Sequence, residues 1–203
     1  MNFCCHNNYD DFSTLFIYCP IYSTLYQNLN VKSAQISSNF LYDTQPIVFK
    51  SSKYDAPVER VFLLSTSIDL VGQTLGMTPV EGKTRGLIVG EDRILWKGWQ
   101  FGLPQVHESL ITGYERGKFF QDTMGAQGRF KSFQHDHHFM EVDGHTLLND
   151  KVRFSLPMGW AGKMVAHYVM VPHISKLLRQ RFDLLKRVAE GREWEQYLVG
   201  SGK

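Results

Sequence analysis

The fold is decided by residues 133–154, which read FQHDHHFMEVDGHTLLNDKVRF. Polar and apolar side chains alternate along both halves, as they do in β-strands, and the pair Asp143-Gly144 is typical of a two-residue type I′ hairpin turn. Counting back from that turn places His137 directly opposite Asp150. The stretch therefore predicts an antiparallel hairpin in which an imidazole and a carboxylate face each other.

One face of this hairpin is expected to lie inside the protein. That face carries Phe133, His135, His137, Phe139, Thr146, Leu148, Asp150, Val152 and Phe154. The alternate residues of the second strand are mostly polar and should meet water. Because buried polar groups must be hydrogen-bonded or hydrated, two histidines and an aspartate on an apolar face predict a polar site.

Composition and charge exclude several classes of protein. The chain has 203 residues, of which 43% are hydrophobic and 13% aromatic, and this suits one globular domain. The net charge of +2 comes from mixed signs, so nucleic-acid binding is not expected. The basic cluster from Arg179 to Arg187 is interpreted as the solvent side of a helix. No apolar run reaches the roughly 18 residues of a membrane span, so stable membrane insertion is not expected.

The number and spacing of the cysteines predict the redox state of the protein's compartment. Cys4, Cys5 and Cys19 form neither a disulfide framework nor a zinc-binding spacing, so we expect a reducing, cytoplasmic setting. The N-terminal stretch also lacks the charge and the uninterrupted apolar run of a secretory signal, and the arginines of a transit peptide.

The composition changes near residue 44. Residues 1–43 are rich in Tyr, Phe, Asn and Ser and show no clear periodicity. We interpret them as an N-terminal extension outside the fold: a poorly ordered segment, an overlong reading frame or a docking arm. The predicted domain covers residues 44–190, and residues 191–203 form a C-terminal tail.

From residue 45 onward the pattern becomes regular. Strands are predicted at about residues 46–54, 87–101, 106–114, 118–124, 130–142 and 146–156, with one helix starting at Pro57 and another at Ile68–Leu75, ended by Gly76 and Pro79. Because the turns between successive strands are short, the strands should form an antiparallel meander.

The longest helix is predicted from Gly159 to about Ala189, with a kink or break at Pro172. Its apolar stripe should lie on the sheet and consists of Met164, Tyr168, Val171, Ser175, Leu178, Phe182 and Leu185. A single helix cannot fill the concave face of a curved sheet. An α+β fold of this order therefore encloses a ligand cavity.

Short motifs spread over residues 46–190 carry a family resemblance. They are Trp96, Phe101-Gly102, Phe120-x-Asp122, Gly128-x-Phe130, Phe133, His135-x-His137-x-Phe139, Gly144-x-Thr146, Asp150 and Pro157-x-Gly159. Together they resemble the START-like SRPBCC superfamily, and most closely its bacterial, polyketide cyclase/dehydrase-like branch. The resemblance implies a helix-grip fold: a curved antiparallel sheet wrapped around a long C-terminal helix, with two short helices after the first strand.

The chain departs from the branch at two positions. Arg129 stands where proline is usual, in a loop that is one residue longer, and Gln100 stands where histidine is frequent. The superfamily contains both carriers and enzymes, so the resemblance implies a cavity for a hydrophobic or lipid-like ligand rather than a reaction.

The inward group of His135, His137 and Asp150 supports more than one interpretation. It could be a hydrogen-bonded structural cluster, or it could anchor the polar part of a hydrophobic or amphipathic small molecule. It could also perform acid-base chemistry in an aromatase/cyclase- or dehydratase-like enzyme on a polyketide-like or aromatic substrate, with Asp150 orienting His137. Binding is favoured because no Ser or Cys nucleophile lies in a recognisable motif nearby. His137 and Asp150 stay the catalytic candidates, and an interaction module acting through residues 1–43 is a third alternative.

A metal site is not expected. His135-x-His137 with Glu141 has the spacing of the first metal motif of cupins, but the later histidine that cupins add is missing after Gly159. Glu141 lies next to the turn and should be solvated. No cofactor is expected.

The residues predicted to contact a ligand are Trp96, Phe120, Phe133, His135, His137, Phe139, Asp150, Met164 and Tyr168. Phe101, Phe119 and Phe130 could line the same pocket or belong to the core, since aromatic residues occur in both. His138 should be exposed on the opposite strand face, whereas His107 and His167 are interpreted as core groups.

Overall fold

The computed structural model describes residues 45–198, which form seven β-strands, five α-helices and one π-helical turn. The strands are β1 (Ile47–Tyr54), β2 (Met77–Gly82), β3 (Arg93–Gln100), β4 (Leu103–Glu115), β5 (Phe119–Met124), β6 (Ser132–Val142) and β7 (His145–Ser155). The helices are α1 (Val58–Ser65), α2 (Ile68–Leu75), α3 (Gly159–Val165), α4 (Val171–Glu190) and α5 (Trp194–Leu198), with the π-helical turn at Ala166–Met170.

The strands form one antiparallel sheet in the order β1-β7-β6-β5-β4-β3-β2. The predicted hairpin register is confirmed, with Val142 paired to His145 and His137 paired to Asp150. Both turn residues have positive φ, 51° at Asp143 and 75° at the following glycine, as a type I′ turn requires. The α+β architecture, with two short helices after the first strand and a long C-terminal helix on the sheet, is as predicted.

Strand β2 corrects the sequence prediction. Gly76 ends helix α2 in the left-handed conformation, as predicted, but the chain then continues into a strand that contains Pro79. This strand lies at the edge of the sheet, and its register with β3 shifts between Pro79 and Glu81. Proline is tolerated there because an edge strand leaves half of its N–H groups unpaired and a bulge interrupts the ladder. The strand predicted at residues 87–101 is accordingly shorter and begins at Arg93.

The long C-terminal helix is interrupted just before Pro172, where the prediction put a kink or break. The π-helical turn Ala166–Met170 separates α3 from α4 at this point. Each π-helical turn adds a residue and rotates the side chains before it relative to those after it. The predicted stripe is therefore right in α4, where Leu178, Phe182 and Leu185 are buried. It is wrong further upstream, where Met164 is 37% exposed and Tyr168 is 63% exposed.

Three groups of buried side chains surround the inner face of the sheet. At the β6–β7 turn end, Phe62 of α1 makes T-shaped ring contacts with Tyr114, Phe120 and Phe139. A second group lies between β7, β1 and α4, and a third lies between α2, β3 and β4. The first group closes one end of the space under α4, and the other two flank that space.

The described residues overlap the predicted domain limits at the C-terminal side only. The predicted N-terminal extension, residues 1–43, lies outside the described residues. Helix α5 falls within the predicted C-terminal tail, and its Trp194 packs against the first core group, where Arg60 of α1 lies 4.4 Å from the ring centre. No helix within residues 45–198 is long and apolar enough to cross a membrane.

Candidate functional site

A cavity of about 850 Å³ lies between the inner face of the sheet and α4. The sheet is an up-and-down meander, so the connections β3–β4, β5–β6 and β7–α3 all fall at the same end of it. The exposed residues of the cavity wall come from these connections and from α3, including Leu103, Arg129 and Met158. This end is therefore the mouth of the cavity, and the aromatic group around Phe62 closes the opposite end.

The inner part of the cavity contains the hairpin's polar residues. His137 Nδ1 lies 2.8 Å from Asp150 Oδ1, and both side chains are buried. His135 Nε2 lies 3.3 Å from the other carboxylate oxygen, Oδ2. The His137 ring also stacks on Phe120, with ring centres 4.0 Å apart. Strand pairing and stacking thus hold both imidazoles against one carboxylate.

The ionisation states follow from burial. Burial lowers the pKa of His137 well below its ordinary value, because a charged imidazole would lose its hydration. Burial alone would raise the pKa of Asp150, yet that pKa is held well below its ordinary value because His137, His135 and Arg181 stabilise the carboxylate. A neutral His137 bonded to a carboxylate carries its proton on Nδ1 and leaves Nε2 as an acceptor.

Arg181 is a site residue that the sequence analysis missed. The basic cluster predicts a solvent-facing position for this residue, but its side chain is only 11% exposed and its Nε lies 3.4 Å from Asp150 Oδ2. It lines the cavity, and its Nη2 makes no hydrogen bond within the described part of the chain. Its position three residues after Leu178 and four before Leu185 places it on the buried stripe, and that spacing could have identified it.

Asp122 is the second site residue that was not identified as such. It pairs with His135 across β5 and β6, lines the cavity and accepts a hydrogen bond of 3.2 Å from Ser109. Its Oδ1 is buried without a hydrogen-bond partner among the described residues. Burial raises the pKa of Asp122 to about 7, and Ser109 and Arg181 offset only part of that effect. Its alternation with Phe120 along β5 was the available sequence signal.

The predicted ligand-contacting residues divide into two sets. Those that line the cavity are Trp96, Phe120, Phe133, His135 and His137. Those that do not are Phe139, which belongs to the closing aromatic group, Asp150, which lies behind the two histidines, and the exposed Met164 and Tyr168. Phe101 and Phe130 also line the cavity, whereas Phe119 does not.

The remaining histidines and Glu141 lie largely where the sequence placed them. His138 and Glu141 are exposed, and His167 is half-buried. His107 lines the cavity, and its ring is nearly perpendicular to those of Phe130 and Phe133, so it is not a plain core group. Burial lowers the pKa of His107 to about 4, and it is therefore neutral at physiological pH.

The donor set of His135, His137 and Asp150 is compact enough to be tested as a metal site, since its ligand atoms lie within 4.8 Å of one another. Two features argue against a metal ion there. The Asp150 carboxylate is already bonded to His137, and the guanidinium of Arg181 stands beside its second oxygen, where it would repel a cation. Arg181 supplies the positive charge that a metal would otherwise bring.

Solved structures similar to this one come from bacteria and plants. The ginseng major latex-like protein 151 from Panax ginseng superposes with a TM-score of 0.54 at 9% identity, covering 73% of this chain and 99% of that protein. The protein TTHA0849 from Thermus thermophilus gives a TM-score of 0.52 at 16% identity, covering 69% and 97%. The solution structure of the KanY protein gives 0.55 at 12% identity, covering 72% and 99%.

Comparison by sequence identifies no related family or protein. No protein-family model matches the chain, and no curated protein matches it. The structural likeness therefore establishes the fold, which agrees with the resemblance carried by the hairpin motifs. The chain has the helix-grip fold, with a seven-stranded antiparallel sheet packed on a long C-terminal helix.

Proposed function

We propose that this protein binds one largely apolar small molecule in its cavity and holds a polar group of that molecule at the inner end. The observation that carries the proposal is the pairing of an apolar wall with a small group of polar side chains at its inner end. That pairing is typical of sites for amphipathic ligands. We place this function in the cytoplasm, the compartment predicted from the cysteines.

The polar groups at the inner end offer both kinds of hydrogen bond. Arg181 Nη2 is a donor and Asp122 Oδ1 is an acceptor, or a donor when protonated, and neither has a partner among the described residues. A buried polar atom left without a partner costs about 1–3 kcal/mol. A ligand hydroxyl, carbonyl or carboxyl group that reaches them would recover that cost, which favours an amphipathic ligand over a pure hydrocarbon.

The histidines set the orientation of such a ligand. His135 and His137 line the cavity, while Asp150 stands behind them and accepts a hydrogen bond from the Nδ1–H of His137. Asp150 therefore fixes the rings rather than contacting the ligand. This assigns the predicted polar wall to the two imidazoles, Asp122 and Arg181.

Native mass spectrometry of the purified chain, followed by solvent extraction, tests the proposal directly. A co-purifying or bindable hydrophobic molecule is the expected result. Fluorescence titration with anilinonaphthalene sulfonate gives a second reading. Leu177→Trp adds volume to the cavity wall and should weaken dye binding by about tenfold, equivalent to ~1.4 kcal/mol.

Gln180→Trp is the matched control, because it adds an indole ring to the exposed side of the same helix. It should bind the dye as the unsubstituted chain does. The proposal fails if mass spectrometry finds no ligand and the two tryptophan variants bind the dye equally.

A second function, acid-base catalysis, is favoured by one observation: two titratable groups whose pKa values are shifted in opposite directions face the same cavity. The pKa of Asp122 is raised to about 7 by burial, and the pKa of His137 is lowered by burial. Such pairs are a recurring arrangement for a general acid and a general base. In this alternative an aromatase/cyclase- or dehydratase-like reaction would use His137 Nε2 as base, with Asp150 as its positioning residue and Asp122 as acid.

Screening polyketide-like or aromatic substrates with the unsubstituted chain and with His137→Ala tests this alternative. Turnover that disappears in the variant, with far-UV circular dichroism unchanged, supports it. Substrate binding that persists without turnover in either protein leaves a carrier as the function.

A further inference from the structure

The mouth of the cavity is surrounded by large apolar side chains that face solvent. Phe101 is 58% exposed, Leu103 52%, Met158 74% and Trp160 80%. Phe101, Leu103 and Met158 also line the cavity, and Trp160 follows within the first turn of α3. These four residues are called the mouth surface. Large apolar side chains clustered in this way usually mark an interaction site.

The backbone presents these side chains through one hairpin turn and one helix N-cap. Phe101 has φ 54° and the next residue, Gly102, has φ 71°, so the β3–β4 connection is a type I′ turn with phenylalanine where asparagine is preferred. Met158 has φ 74°, which is also unusual for a residue with a side chain. Strained positions that hold apolar side chains in water point to a function for those side chains.

Among the described residues, the segments that form the mouth carry charge of one sign. The three segments that form it, residues 97–105, 125–133 and 156–176, contain no Asp or Glu, and their basic residues are Lys97, Arg129, Lys131, Lys163 and Lys176. Arg129 donates a hydrogen bond of 3.1 Å to the backbone oxygen of Pro104, which leaves its charge unneutralised. Arg129 and Lys131 both line the mouth, and neither takes part in an ion pair within residues 45–198.

We propose that the mouth surface docks on membranes that contain anionic lipids. Apolar side chains with lysines and arginines beside them suit the boundary between headgroups and acyl chains, where basic residues are attracted to negative lipid. Docking brings the mouth of the cavity against the bilayer, so an apolar ligand passes between bilayer and cavity without crossing water. The delivery of a ligand rests on the proposed function, but the docking does not.

A second copy of the chain fits this surface less well. A two-fold dimer brings identical patches together, so Arg129 and Lys131 would face their own counterparts with no acidic group in the mouth segments to offset them. The exposed Met164 and Tyr168 lie along the same helical segment and extend the apolar area. An extended apolar area fits a fluid lipid surface.

Co-sedimentation of the full chain with vesicles tests the proposal. Binding is expected to vesicles of phosphatidylcholine and phosphatidylglycerol in a two-to-one mixture, and much weaker binding to phosphatidylcholine alone. Raising the salt concentration should weaken binding, because added ions screen the attraction. Neutralising the charges in Arg129→Gln/Lys131→Gln should lower the binding constant roughly fivefold per charge, and about 25-fold for the pair.

The apolar contribution is tested by Phe101→Asn/Trp160→Ser. The first substitution gives the type I′ turn its preferred asparagine, so the hairpin should fold as before. This variant should lose at least about tenfold in vesicle binding, equivalent to ~1.4 kcal/mol. Two control variants lie at the far end of the sheet: Met140→Ser/Val142→Ser, whose residues are 46% and 45% exposed, and Lys53→Gln/Arg192→Gln. Both controls should bind as the unsubstituted chain does.

Three results would overturn the proposal. The first is no association with the anionic mixture, and the second is an equal loss of binding in the control variants. The third is a dimer, detected by light scattering, that Phe101→Asn/Trp160→Ser converts to monomers and that added vesicles leave unchanged. If the dye binds in the cavity but the chain does not bind vesicles, the docking proposal is wrong and the proposed function still stands.

Discussion

Replacing Asp122 with asparagine should change how the stability of the protein depends on pH. The Asp122 carboxyl is inside the protein, with a hydrogen bond from Ser109 and no partner for its other oxygen among the described residues. Its pKa is raised by burial from the ordinary value of 3.8 to about 7. Between these two values the folded chain keeps a proton that the unfolded chain has lost. Stability contributed by this group therefore falls as pH rises from about 4 to about 7, and then levels off.

The magnitude follows from the same two values. Each pH unit between them is worth about 1.4 kcal/mol, so the loss from pH 4 to pH 8 amounts to about 4 kcal/mol. His107 acts in the opposite sense, because burial lowers its pKa from 6.5 to about 4 and stability rises as pH passes through that window. His137, whose pKa is also lowered by burial, adds to that rise, so the stability of Asp122→Asn should increase with pH more steeply than that of the unsubstituted chain.

Urea unfolding at intervals from pH 4 to pH 8 measures this difference. The free energy of unfolding of Asp122→Asn, minus that of the unsubstituted chain, should increase by about 4 kcal/mol over the range, because all shared groups cancel in the subtraction. Gln180→Ala, which removes no ionisable group from the exposed side of α4, is the control and should give a difference that does not vary with pH. A difference for Asp122→Asn that stays constant within about 0.5 kcal/mol would refute the burial of a protonated Asp122 in this site.

Three further substitutions test the packing of the site. Arg181→Met should cost about 3–5 kcal/mol in urea unfolding, because it removes the guanidinium beside the fully buried carboxylate of Asp150. Adding Asp150→Asn should recover part of that loss, and no recovery would contradict the pairing. Phe62→Ala should cost about 3–5 kcal/mol and open the closed end of the cavity, so that dye binding rises as stability falls. Gly162→Ala should cost about 1–3 kcal/mol in thermal unfolding, because its methyl group would clash with the backbone oxygen of Pro157; an unchanged melting temperature would exclude that close approach.

Local signals in the sequence were sufficient for the hairpin. The Asp143-Gly144 turn sets a two-residue connection, and strand alternation then fixes which side chains face each other along both strands. Helix α2 was likewise predicted to the residue, since a glycine in the left-handed conformation ends it. In both cases the deciding interactions lie within a few residues of one another.

Other features depend on contacts between distant segments. The local pattern predicts Pro79 as a helix terminator. Its place in β2 depends instead on lying at the edge of the sheet beside a bulge, which no local pattern indicates. Met164 and Tyr168 were assigned to the buried stripe because a regular period was assumed across Ala166–Met170. The π-helical turn changes that period, and both side chains face solvent instead.

The sequence by itself determined the order of most strands and helices, the register of the hairpin and the pairing of His137 with Asp150, because turn chemistry and strand alternation act locally. Only the tertiary structure decided that Arg181 turns inward to Asp150 and that Asp122 joins the same cavity. A sequence pattern alone predicts that a charged side chain is exposed to solvent. It becomes part of a site only when a distant segment provides the opposite charge and the enclosure that make its burial favourable.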